Sequence, residues 1–156
     1  MEEKTNVMRL LDGKKIKYKS YFLRLAEAVS GTELAHLLGK EEETVFKTLV
    51  TVGKSNTYYV FVIPSNMELD LKKAAKAVGE KSVDMIKSKE LLPLTGYVHG
   101  GCSPVGMKKF FKTTFHITAR DFDTITFSGG KIGCQVETAL SELSKIIRFG
   151  LADVTK

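Results

Sequence analysis

A chain of 156 residues, 43% hydrophobic and 27% charged, is long enough to bury a core without covalent staples and has the balance of an ordinary soluble protein. No apolar run approaches the roughly 20 residues needed to cross a bilayer, and Met1-Glu2-Glu3-Lys4-Thr5 leads into no signal-type apolar core. We therefore expect one domain, residues 1–156, in the cytoplasm and without a membrane partner. The formal net charge of +6 favours an anionic partner, because lysines attract phosphate regardless of sequence, although a merely solvated lysine-rich surface has the same composition.

Thr5 predicts the N-cap of a short helix reaching Leu11, with Val7, Met8, Leu10 and Leu11 apolar and Gly13 placed to end it. Ile16, Tyr18 and Ser20 then alternate with Lys17 and Lys19, a period-two strand pattern with a solvated lysine face. Thr32 is expected to cap a helix through Leu38, closed by Gly39. Residues 45–52 and 57–63 are rich in β-branched and aromatic side chains and flank Gly53-Lys54-Ser55-Asn56, the clearest hairpin in the chain. Asp70 caps a helix whose Leu71, Ala74, Ala75 and Val78 fall on one face, leaving Lys72, Lys73 and Lys76 outside, and Gly79 ends it. Residues 82–86 read as a short strand and 88–92 as one helical turn stopped near Pro93. Beyond a glycine-rich loop come strands at 114–118, 124–127 and 133–138, then an amphipathic helix through Leu140, Leu143, Ile146 and Ile147. Strands and helices interleave without a regular βαβ rhythm. A mixed, mostly antiparallel sheet with helices packed around it, an α/β fold of the α+β type, is thus favoured over a doubly wound parallel sheet.

Cys102 and Cys134 lack the spacing of a disulfide framework, and His36, His99 and His116 are scattered without an HExxH or CxxC pair, so we expect free thiols, no metal and no cofactor. Lys47 sits inside an apolar strand, where a lysine either snorkels to water from an edge or is put to use. The run from Gly96 to Gly106 holds four glycines and Pro104. Without Cβ atoms such a backbone approaches a ligand closely and tolerates positive φ, so its amides can be aimed at an ester carbonyl or a phosphate. Cys102, three residues from His99, is either an imidazole-activated nucleophile or a small buried thiol, and the second reading is preferred.

In order and character, Val45-Phe46-Lys47-Thr48-Leu49-Val50, the run from Gly96 to Gly106, and Ser128-Gly129-Gly130-Lys131-Ile132-Gly133 resemble the YbaK family of aminoacyl-tRNA deacylases, which is related to the editing domain of prolyl-tRNA synthetase. The likeness covers nearly the whole chain after Thr32. It implies a sheet curled towards a barrel. It also implies that Lys47 lies in the active-site pocket with Gly100 and Gly101 as the catalytic set, the ammonium and a backbone amide meeting the ester oxygen. Around them the resemblance suggests Tyr21, Phe46, His99, Ser103, Pro104, Gly106, Ser128, Gly129, Gly130 and Gln135 as substrate-binding positions. Three of these depart from the family or carry over weakly. His99 often gives way to an apolar residue in the family, Gln135 stands where some members have aspartate, and Tyr21 falls in a loosely matching region. Lys72, Lys73, Lys76, Lys108, Lys109 and Lys112 are candidates for tRNA phosphate contacts.

The function implied is trans-editing hydrolysis of mischarged aminoacyl-tRNA, Cys-tRNA(Pro) first and Cys-tRNA(Cys) second, with the substrate's own thiol as nucleophile and prolyl-tRNA synthetase as a further partner. Two alternatives stand beside it. One is a deacylase that removes another small amino acid such as alanine with water, and the other is a non-catalytic tRNA- or synthetase-binding module.

Overall fold

The computed structural model describes residues 4–156, so residues 1–3, part of the segment read for an export signal, lie outside the described residues. Along the chain run α1 (Asn6–Gly13), β1 (Lys19–Phe22), α2 (Gly31–Leu38), β2 (Phe46–Gly53), β3 (Tyr58–Pro64), α3 (Leu71–Val78), β4 (Val83–Met85) and α4 (Ser88–Thr95). They are followed by β5 (Lys112–His116), β6 (Ile125–Ser128), β7 (Cys134–Thr138), α5 (Leu140–Leu143) and β8 (Gly150–Ala152). One sheet has the order β1-β7-β6 and is antiparallel throughout. The other, β4-β2-β3-β5-β8, is antiparallel across β4, β2 and β3 and parallel across β3, β5 and β8. A parallel bridge between Val45 and Thr126 joins the two. The fold is therefore the mixed, mostly antiparallel α+β arrangement expected, and no helix among the described residues is long and apolar enough to cross a membrane.

Alternation along the strands creates two apolar layers. Phe46, Val60, Val62 and Phe115 turn towards Phe127, Val136 and the buried face of α1, while Phe61 and Ile63 on the opposite face of β3 pack beneath Ala74, Ala75 and Val78 of α3. Phe61, Phe115 and Phe127 are fully buried, and burial of a side chain of this size stabilises the fold by about 1.5–3 kcal/mol.

The local departures from expectation have physical causes. β1 starts at Lys19, because Lys15 takes a positive φ of 57° and turns the chain before ladder pairing begins. Ser30 rather than Thr32 caps α2, its Oγ accepting from the Glu33 N–H at 3.1 Å. α4 continues through Pro93 to Thr95; the missing proline N–H is tolerated because the Gly96 N–H still reaches the Leu92 carbonyl at 2.8 Å and the Thr95 hydroxyl donates to the Leu91 carbonyl. β5 begins two residues early, at Lys112, and stops at His116, where a 3₁₀ turn (Ile117–Asp121) takes over. The final helix is only one turn, since the Lys145 and Ile146 amides tighten onto carbonyls three residues back, those of Glu142 and Leu143. β8 was not anticipated: three residues with little alternation are strand only because β5 pairs with them.

His116 ties β5 to the C-terminal segment. Its Nδ1 accepts from the Val154 N–H at 3.2 Å, which fixes the neutral tautomer with the proton on Nε2, 3.4 Å from the Thr155 hydroxyl. Burial, opposed by Asp153 and aided by Lys73, holds its pKa below 6.5. The folded state thus prefers the neutral ring, and this stabilisation is complete above pH 6.5 and is lost as the pH falls through the depressed folded value. Urea midpoints are expected to fall on acidification just below pH 6.5 in the wild type, and a His116→Asn protein should lack that step.

Candidate active site

Residues directly opposite in an antiparallel ladder project to the same face. The register sets Tyr21 opposite Gln135 and Gln135 opposite Ser128, so these three side chains form one polar row across β1, β7 and β6. The alternating Phe127 and Val136 turn the other way into the core. The Val45–Thr126 bridge runs β2 beside β6 in the same direction, so Lys47 and Ser128, each two residues further on, share the face of the row. Lys47 is half-buried and forms no ion pair with the described residues; burial holds its pKa below the usual ammonium range, opposed only by the longer-range charge of Glu68. Gln135 is 3% exposed, and its amide makes no hydrogen bond to the described residues.

The glycine loop is wedged against the same end of the sheet. A Cβ on Gly100 would come within 2.4 Å of the Ala28 Cβ, and one on Gly101 within 3.0 Å of the Lys131 Cα, so neither position has room for a side chain. Gly100 also takes φ of +86°. The two amides differ in availability. That of Gly101 is spent on the Val98 carbonyl at 3.0 Å, whereas those of Gly100 and Cys102 have no acceptor among the described residues. A cleft of about 470 Å³ opens beside the loop, between Phe22–Ala26 and Lys131–Cys134.

A partly buried polar network that sequence reasoning missed supports this surface. Glu137 follows Gln135 by two along β7 and accepts from Lys40 Nζ at 2.7 Å, from the Tyr21 hydroxyl at 2.5 Å and from the Thr124 hydroxyl. Burial alone would raise its pKa, but these donors, Lys40 first, bring it down to about 2. The Lys40 ammonium also sits 4.7 Å from the centre of the Tyr21 ring. The alternation of Tyr21 with Lys19 and of Gln135 with Glu137 carried a signal for the row; nothing in the sequence tied Lys40 to it. Thr48, next to Lys47 but turned with Phe46 and Val50 to the opposite face of β2, has a buried hydroxyl with no hydrogen-bond partner among the described residues.

Several expected site residues lie elsewhere. Phe46 is a core side chain, because the alternation that turns Lys47 to the row turns its neighbour inward. Ser103 holds the loop, its Oγ accepting from the Val105 N–H at 3.3 Å, and Pro104 and Gly106 border a separate groove with Met107 and Phe111. Gly106 and Gly130 pack against Tyr97 and α1, and Gly129 against Cys134, so the second and third of the Ser128-Gly129-Gly130 turn serve packing. His99 is exposed, while Cys102 is buried and its thiol is pushed up to about 12 by desolvation. Among the basic candidates, Lys73 is engaged by Asp153 at 3.0 Å and the Thr155 carbonyl, whereas Lys72, Lys76, Lys109 and Lys112 are exposed without ion pairs to the described residues. Among the described residues no three His, Cys, Asp or Glu side chains are grouped to hold a metal.

This two-sheet architecture is shared with solved structures. One, described provisionally as a trans-editing enzyme for prolyl-tRNA synthetase, superposes with a TM-score of 0.81 at 23% identity over 99% of both chains. Another, a hypothetical protein, gives a TM-score of 0.87 at 22% identity, covering 97% of this chain and all of its own. Residues 26–146 match the model of the aminoacyl-tRNA editing domain, and the chain belongs to that family. EbsC of Enterococcus faecalis, provisionally named a Cys-tRNA(Pro)/Cys-tRNA(Cys) deacylase, is 44% identical over 155 residues, 99% of this chain and 94% of its own. A proline–tRNA ligase of Shouchella clausii is 33% identical over 82 residues, 53% of this chain but 14% of the ligase.

Proposed function

We propose that this chain is a single functional unit that hydrolyses mischarged aminoacyl-tRNA in trans, Cys-tRNA(Pro) foremost and Cys-tRNA(Cys) second, with the substrate's own sulfur as nucleophile. The observation that carries this reading is the half-buried Lys47, without an ion pair to the described residues, on one face with Ser128, Gln135 and Tyr21, while the only thiol of the glycine loop, Cys102, is buried and kept protonated. The site offers charge stabilisation, and its loop thiol is held protonated rather than poised as a nucleophile. Family membership supports an editing reaction, and the name of EbsC supports cysteine as the amino acid removed.

An aminoacyl ester is already activated, so positioning and oxyanion stabilisation suffice. The cysteinyl sulfur, its proton lost to solvent, attacks the ester carbonyl carbon. A carbon–sulfur bond forms, and the negative charge collects on the carbonyl oxygen within reach of the Lys47 ammonium and a free loop amide, that of Gly100 or Cys102. Collapse breaks the carbon–oxygen bond; the ribose oxygen leaves with a proton, and the amino acid departs as a cyclic thiolactone that water opens. Gln135, neutral and with a side chain that has no hydrogen-bond partner among the described residues, accepts from the substrate's amino group rather than pairing with its charge. Exposed lysines hold tRNA phosphates, and prolyl-tRNA synthetase is the partner that would deliver the substrate.

Two substitutions test the nucleophile. Cys102→Ala is expected to retain most activity on Cys-tRNA, while alkylating the substrate thiol should stop turnover. Ordinary cysteine catalysis predicts the reverse on both counts, because deletion of the enzyme's nucleophile removes the covalent route.

A further inference from the structure

Residues 91–120 contain no aspartate or glutamate. Within this stretch Lys108, Lys109 and Lys112 are exposed and form no ion pair with the described residues. Phe110 stands among them at 64% exposure, more than any other large hydrophobic side chain among the described residues. Its neighbour Phe111 is different: it is half-buried, with its ring edge-on to Tyr58 at 6.0 Å between centres. Phe111 anchors the loop and Phe110 is presented by it. The backbone leading there is fixed as well, since the Tyr97 hydroxyl donates to the Val105 carbonyl and the Lys108 N–H donates to the Thr95 carbonyl at 3.1 Å. The same loop begins at Gly100 and Gly101 in the candidate active site.

An exposed aromatic ring amid cations that pair with no carboxylate of the described residues, and with none nearby in sequence, complements a polyanion that carries π faces. We propose that Phe110 is a stacking platform for an unpaired base of the RNA strand whose 3′ end bears the ester, with Lys109 and Lys112 holding the flanking phosphates. The proposal rests on the reading that the substrate is tRNA and adds the residue that grips its single-stranded end. A double helix would not serve, because its bases are already stacked on one another.

The test uses the full chain and a labelled short single-stranded RNA, followed by fluorescence anisotropy. Phe110→Ala should weaken binding about 5- to 150-fold, the range for one base stacked on an aromatic side chain. Phe110→Leu should lose as much, Phe110→Tyr should bind like the wild type, and a duplex of the same sequence should be insensitive to all three. Lys109→Ala should instead make the log–log salt dependence shallower by about 0.7 for the lost single-strand contact. In deacylation of aminoacyl-tRNA, Phe110→Ala should raise KM with little change in kcat, and hydrolysis of a cysteinyl ester of a single nucleotide should be unaltered. Unchanged RNA binding by Phe110→Ala, wild-type binding by Phe110→Leu, or a loss confined to binding of prolyl-tRNA synthetase would overturn the platform. Absence of any deacylation with RNA binding intact would instead overturn the catalytic reading and leave the platform standing.

Discussion

Lys47→Ala is expected to lower kcat for deacylation about 100-fold or more, the loss typical of removing one donor from a developing oxyanion. Lys47 shares a face with Ser128, Gln135 and Tyr21, is half-buried, and has no ion pair with the described residues to account for its position. Stability should move the other way or not at all, because removing a desolvated ammonium relieves a cost rather than breaking a pair. A urea midpoint at or above that of the wild type, together with collapsed turnover, therefore separates a catalytic from a structural lysine. Lys47→Arg should recover only part of the rate, since the planar guanidinium places its donors differently from a point ammonium. Near wild-type turnover in folded Lys47→Ala would remove Lys47 from the chemistry.

Lys40→Ala is expected to be the most damaging single change to stability outside the apolar core. It removes the cation from Glu137 and leaves the carboxylate only the Tyr21 and Thr124 hydroxyls as donors; breaking a fully buried ion pair costs about 3–5 kcal/mol, and for this pair, still 18% and 15% exposed, the cost falls below that range. The double variant Lys40→Ala/Glu137→Gln should recover much of the loss, because the stranded charge is gone. Glu137 also sets an acid limit. Its pKa falls from 4.5 to about 2 in the folded protein, so its contribution is present above pH 4.5 and is lost as the pH falls towards 2. Denaturant titrations at neutral and acidic pH on the three proteins measure both effects. Equal midpoints for wild type and Lys40→Ala would show that the network carries no stability.

Lys47 and the glycine loop were legible in the sequence because each violates a local rule: a charge inside an apolar strand, and a cluster of residues lacking Cβ after an ordinary pattern. The hairpin of β2 and β3 and the α3 cap at Asp70 were legible because their signals are local too. What escaped depends on partners far apart in the chain. Lys40 lies just past the α2 cap at Gly39 and meets Glu137 only when β7 is laid beside β1. β8 becomes a strand only through β5. Phe46 was carried into the site by its place in a motif, although its own alternation with Lys47 points it into the core. The free amide at Cys102 could not be read at all, since which loop amide is left over depends on the turn that engages Gly101.

The most direct measurement is a deacylation panel at equal enzyme concentration on tRNA(Pro) charged with cysteine, alanine or serine, each compared with spontaneous hydrolysis. Turnover of the cysteinyl ester well above the other two is the predicted result, because of the three amino acids only cysteine carries a thiol that can attack its own ester. Equal rates on alanyl and cysteinyl esters would contradict it, and would put water in place of the substrate thiol.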